Sequence, residues 1–112
     1  MTNRIDFFGR DKPTGLDEVK LNLECLVEED VIEHALTIYK HLLDKLPFLI
    51  FPTLRGSVQL EYEVGLNYIE FEIYEDKITV YAEINEHEQY DGIISEQDID
   101  KYVDEFIKHL QG

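Results

Sequence analysis

The sequence predicts an α+β domain: a helix, an antiparallel meander of three or four strands, and a closing helix, with the helices packed on one face of the sheet. Two stretches with helical spacing of apolar residues, 30–46 and 96–110, flank three runs of period-2 alternation between 58 and 84. The links between those runs are short enough for hairpins.

Taking the elements in order, residues 1–15 hold Arg4, Arg10 and Lys12 beside Phe7, Phe8, Gly9, Pro13 and Gly15. They read as an irregular arm on a single domain spanning 1–112. Segment 16–27 fits two patterns. A helix gathers Leu16, Val19, Leu23, Leu26 and Val27; a strand gathers Val19, Leu21, Leu23, Cys25 and Val27. Thr14, three residues before Asp17, has N-cap character and tips the reading toward helix. The stripe Val31, Ile32, Ala35, Leu36, Ile38, Tyr39, Leu42, Leu43 and Leu46 is helical and out of phase with 16–27. A break is therefore expected at residues 28–30, and Pro47 is expected to end the helix.

The run 48–51 lies between Pro47 and Pro52, which suits an edge strand or an extended connector. Val58, Leu60, Tyr62 and Val64 share one face of the next strand, Ile69, Phe71 and Ile73 of the following one, and Ile78, Val80, Ala82 and Ile84 of the third. Residues 65–68 and 75–76 are the expected turns, and an acidic loop through Asp91-Gly92 leads to the last helix. There Ser95 is the expected N-cap. Glu96, Asp98 and Asp100 crowd the positive end, and Lys108 and His109 the negative one.

Composition limits the function classes. With 112 residues, 44% apolar and 12% aromatic, the chain can fill one modest core. Its one cysteine, Cys25, forms no intrachain disulfide and sits in an apolar run that suits packing. No apolar run approaches the roughly 18 residues that cross a bilayer, so a cytoplasmic protein is expected. Twenty-five carboxylates face ten Lys and Arg, for a net charge of −15. Residues 1–52 carry ten acids and six bases, net −4; residues 53–112 carry fifteen acids and four bases, net −11. Nucleic acid and anionic membranes are disfavoured as ligands, because both need a positive counter-surface.

The alternation puts acids on the face away from the helices. Pairing Val64 with Ile69 sets Glu63 opposite Glu70 and Glu61 opposite Glu72. Pairing Ile73 with Ile78 sets Glu72 opposite Thr79, Glu70 opposite Tyr81 and Tyr68 opposite Glu83. Like charges about 5 Å apart across strands are destabilising, so something is expected to offset the repulsion. The face is either simply hydrated, or a dock for a basic protein, or a seat for a hard cation such as calcium. No D-x-D-x-D-G calcium loop is present.

Catalytic signatures are missing from the sequence. There is no G-x-G-x-x-G, no G-x-x-x-x-G-K-[ST] and no G-x-S-x-G, and no cofactor is expected. Ser57 and Ser95 suit a turn and a cap. His34 and His41 share a helical face but sit about 10 Å apart, too far for one zinc. Asp30 and His34 suit a surface pair better than a metal site. His87, between Glu86 and Glu88, reads as acidic surface.

The stretch Pro52-Thr53-Leu54-Arg55-Gly56-Ser57-Val58-Gln59-Leu60-Glu61-Tyr62, followed by residues 68–73, is similar to a motif of small uncharacterised bacterial and phage proteins, roughly P-T-x-x-G-x-[IV]-x-L-E-[WY]. The similarity covers about residues 30–84 and lacks those families' upstream W-D-G segment. It implies a bacterial or mobile-element setting, where small acidic proteins act as antitoxins, immunity proteins or inhibitors.

The expectation is thus a non-enzymatic acidic module that binds a basic protein. Glu61, Glu63, Glu70, Glu72 and Glu83 supply charge, and Tyr68, Tyr74 and Tyr81 supply contact area. The alternatives are a homodimer formed through 48–51 or 16–27, and a carboxylate-based metal-binding protein.

Overall fold

The computed structural model describes residues 23–24 and 26–111. Helix α1 (Glu29–Leu42) precedes strands β1 (Leu49–Pro52), β2 (Val58–Val64), β3 (Asn67–Ile73), β4 (Ile78–Ile84) and β5 (His87–Ile94). A 3-10 turn (Glu96–Asp98) then leads into helix α2 (Ile99–Gln111). The five strands form one antiparallel sheet in sequential order, which makes the protein an α+β meander.

Both helices lie on one side of that sheet. Val31, Ile32, Ala35, Leu36 and Leu42 of α1 and Ile99, Val103 and Phe106 of α2 join Val58, Leu60, Ile69, Phe71, Ile73, Val80 and Ala82 in one core. Phe71 packs against Phe48 at 6.1 Å, and Phe106 meets Tyr62 edge-on at 6.3 Å. A row of polar contacts zips the helices together outside the core. His34 reaches Glu96 at 2.7 Å, His41 reaches Asp100 at 2.7 Å and Lys45 reaches Asp104 at 2.9 Å. The four-residue spacing of the three acids puts them on one face of the closing segment. His34 meets Glu96 rather than Asp30.

Several expectations need correction. The sheet has five strands, not three or four, because residues 87–94 are a strand and not an acidic loop. A register shift between Ala82 and Glu83 leaves Gln89 unopposed, so Tyr81 faces Asp91 while Glu83 faces Glu88. That bulge interrupts the period-2 pattern, which is why the strand is invisible as alternation. Helix α1 ends at Leu42 and not at Leu46; Lys45 and Leu46 both donate to the Leu42 carbonyl in a terminal turn.

The β2–β3 register is two residues from the expected one. Val64 pairs with Asn67, Tyr62 with Ile69, Leu60 with Phe71, Glu61 with Glu70 and Gln59 with Glu72. The reason is the turn. Gly65, at φ +60°, opens a two-residue turn with Leu66, where a four-residue loop was expected. A shift of two preserves every side chain's face but changes its neighbour. Neither expected Glu–Glu pair forms; the one Glu–Glu pair between β2 and β3 is Glu61 with Glu70. The β3–β4 register is as expected, with Ile73 opposite Ile78 and Tyr68 opposite Glu83.

The break between the first segment and α1 is present: Leu26 and Val27 both donate to the Leu23 carbonyl in a turn, and Glu28 is extended. The helix-or-strand question for 16–22, the packing of Cys25 and the arm 1–15 lie outside the described residues. Phe48 is only 3% exposed and belongs to the core, whereas Leu49 of the same run is 46% exposed. No helix among the described residues is long and apolar enough to cross a membrane.

Candidate functional site

All seven acids of the strands, Glu61, Glu63, Glu70, Glu72, Glu83, Glu88 and Asp91, occupy the sheet face opposite the helices. No strand contains a lysine or an arginine. Among the described residues neither helix covers this outer face. Tyr68, Tyr81, Gln59 and Thr79 stand between the acids.

The centre of the face is organised by hydrogen bonds. The Tyr68 hydroxyl lies 2.5 Å from Glu70 Oε1 and 2.9 Å from Glu61 Oε1, so the phenol bridges the glutamate pair between β2 and β3. The Gln59 amide donates to the same two oxygens at 3.1 and 3.3 Å. Burial, and then the hydrogen bond to Glu70, push the Tyr68 phenol well above its ordinary range. The repulsion that the sequence left open is therefore offset within the sheet, by a neutral amide and a phenol. Tyr81 donates to Glu83, and this bond, followed by partial desolvation, pushes its phenol up to about 12. The Tyr68 and Tyr81 rings are neighbours, with centroids 6.4 Å apart.

Glu72 has a different position. It is 6% exposed and holds the 53–57 loop. Ser57, fully buried, donates its hydroxyl to Glu72 Oε2, and Arg55 Nε donates to the same oxygen at 2.8 Å. A serine hydroxyl has one proton, so Ser57 Oγ must accept from the Thr53 hydroxyl 2.6 Å away. Thr53 Oγ1 in turn accepts from the Arg55 amide at 3.0 Å. Gly56, at φ +80°, closes the loop, and the Thr53 amide donates to the Ser57 carbonyl at 2.9 Å. Burial raises the Glu72 pKa, but the hydrogen bonds from Ser57, Arg55 and Tyr74 outweigh it and hold the carboxyl below the ordinary carboxylate range.

Of the residues expected from the sequence, Glu61, Glu63, Glu70, Glu83, Tyr68 and Tyr81 thus share an accessible face. Glu72 is withdrawn into the loop, with Tyr74 bonded to it at the margin. Sequence reading missed Thr53, Arg55 and Ser57 as partners of Glu72, and Gln59 as the bridge between Glu61 and Glu70. Alternation identifies the face of a residue but not which loop folds over it.

A cavity lies elsewhere, on the helical layer. It measures about 570 Å³ and lies between α1 and the start of α2, lined by Thr37, Ile38, His41, Glu96, Ile99 and Asp100 among others. Among the described residues, no three His, Cys, Asp or Glu side chains converge as a metal site. No protein-family model, curated protein or solved structure matches the chain.

Proposed function

We propose that this chain is a non-enzymatic acidic interaction module whose outer sheet face docks on a basic protein surface, in the manner of an antitoxin, immunity protein or inhibitor. The observation that carries the reading is the segregation of charge: seven acids on one sheet face and no lysine or arginine in any strand. Such a one-signed field steers a cationic partner and repels nucleic acid and anionic membranes. Tyr68 and Tyr81, held by Glu70 and Glu83, present rigid amphipathic contact area beside the charges.

Two further features support a binding role over catalysis. The fully buried Ser57 hydroxyl is committed to Glu72, and the outer face is a sheet surface rather than a dry cleft. The similarity of residues 52–62 to small bacterial and phage proteins, and the single cysteine, agree with a bacterial cytoplasmic setting.

The test is affinity capture from the source cells with wild type and with a Glu61→Gln, Glu63→Gln, Glu70→Gln, Glu83→Gln variant. Glu72 is left alone because the loop depends on it. The reading expects a defined basic partner that is lost from the variant and released by salt. Recovery of the same partner with unchanged salt dependence would remove the outer face as its site.

A further inference from the structure

We propose that β5 is the docking edge of this module, taking a basic extended segment of the partner as a sixth strand. This rests on the reading above and names how the partner attaches. Sequential strand order leaves two margins, β1 and β5. They differ in what they offer. Strand β1 has four residues and ends in Pro52, just after Pro47, so its capacity to donate along a new ladder is poor. Strand β5 has eight residues and no proline, and no described residue pairs with its outward side. Its bulge at Gln89 confines regular pairing to residues 90–94.

That stretch is held from beneath as a firm template. Tyr90 donates to Glu105 of α2 at 2.9 Å, and its ring meets Tyr102 edge-on at 4.9 Å. A ready edge costs an incoming strand little beyond its own ordering.

Charge decides which strand fits. Glu88 and Asp91 line the outer side of the edge, backed by Glu83 and Tyr81 on β4. A second copy of β5 would bring Glu88 and Asp91 near their own equivalents, which disfavours self-pairing. A segment with lysine or arginine toward the acids finds complementary charge. Ile93, 71% exposed on the same face, offers apolar contact to the aliphatic stem of such a lysine or arginine. The alternate side chains of the incoming strand fall on the helix side, beside Tyr90 and Ile94, where β-branched residues suit. Basic residues alternating with β-branched ones are therefore the matching pattern.

The probe is an alternating Lys/Val peptide of about seven residues, a common strand length. It is titrated into the full chain beside an analogue with alternate backbone amides methylated. Binding is followed by calorimetry and by amide hydrogen exchange. The proposal expects the parent peptide to bind at least ~tenfold tighter than the methylated one, with new protection at residues 90–94. Asp91→Lys, or Glu88→Lys if the first fails to fold, should weaken binding by ~tenfold. Glu61→Gln, Glu63→Gln, Glu70→Gln should change it far less. Equal binding of the methylated analogue, or loss of binding in that triple variant, would place the peptide on the open face, overturning the edge while leaving the wider reading intact. Absence of peptide binding at low salt, or a dimer of the chain that protects 90–94 unaided, overturns the edge as well.

Discussion

The Ser57 hydroxyl donates to the Glu72 carboxylate, which ties the β1–β2 loop to β3 across fifteen positions of sequence. Thr53, Ser57, Arg55 and Glu72 form one directed chain in which each hydroxyl gives one proton and the carboxylate receives all that reach it. Because Ser57 and Glu72 are both buried, losing either partner leaves the other without water to replace it. Ser57→Ala should destabilise the fold by about 1–3 kcal/mol, measured by denaturant unfolding. Arg55→Ala should cost less, since its side chain is mostly exposed. Equal losses from the two would contradict this account.

The same carboxylate sets an acid limit. Its folded pKa lies below its unfolded value, so its contribution is complete above the ordinary carboxylate range and is lost as pH falls through the depressed folded value. Thermal melts across acid pH should show a fall in stability in wild type. In Glu72→Gln that part of the fall should be missing, with lower stability at neutral pH. Parallel pH curves for the two proteins would show that Glu72 is not the group responsible.

Tyrosine ionisation gives a direct view of the outer face and the α2 contact. The chain has seven tyrosines and no tryptophan, so tyrosinate absorbance is read without overlap. Tyr81, through Glu83, and Tyr90, through burial and Glu105, are each pushed up to about 12, and both should titrate late. Glu105→Gln removes the charged acceptor and should bring one phenol back toward its ordinary range. An unchanged titration would mean that the Tyr90–Glu105 bond does not persist in solution.

Turn chemistry makes a further prediction. Asn85 and Glu86 join β4 to β5 with φ of 54° and 69°, a pair of left-handed residues, as the tightest hairpin turns require. Glutamate is strained there by about 1–2 kcal/mol, while glycine costs roughly 0.5–1 kcal/mol of chain entropy. Glu86→Gly should therefore raise the melting temperature slightly. Gly65→Val, at φ +60°, should lower it by more than the first change gains. A loss of stability in Glu86→Gly would show that the side chain contributes more than its backbone strain costs.

The order from α1 through β4 to α2, the helix-facing side of β2, β3 and β4, and the acid-bearing side opposite were legible in the sequence. They follow from two local periods, 3.6 and 2, and local periods are written residue by residue. The edge character of β1 was legible too, from its flanking prolines. Tertiary structure alone decided the rest. Register depends on how the chain turns at Gly65, and a shift of two residues keeps every face while replacing every neighbour, so alternation cannot detect it. Strand β5 hides because its bulge breaks the period by which strands are recognised. Glu72 has the same local pattern as Glu70, yet one lies in a buried loop anchor and the other on an accessible face. The difference comes from residues 53–57, which fold back over the end of β3, a contact between positions distant in sequence.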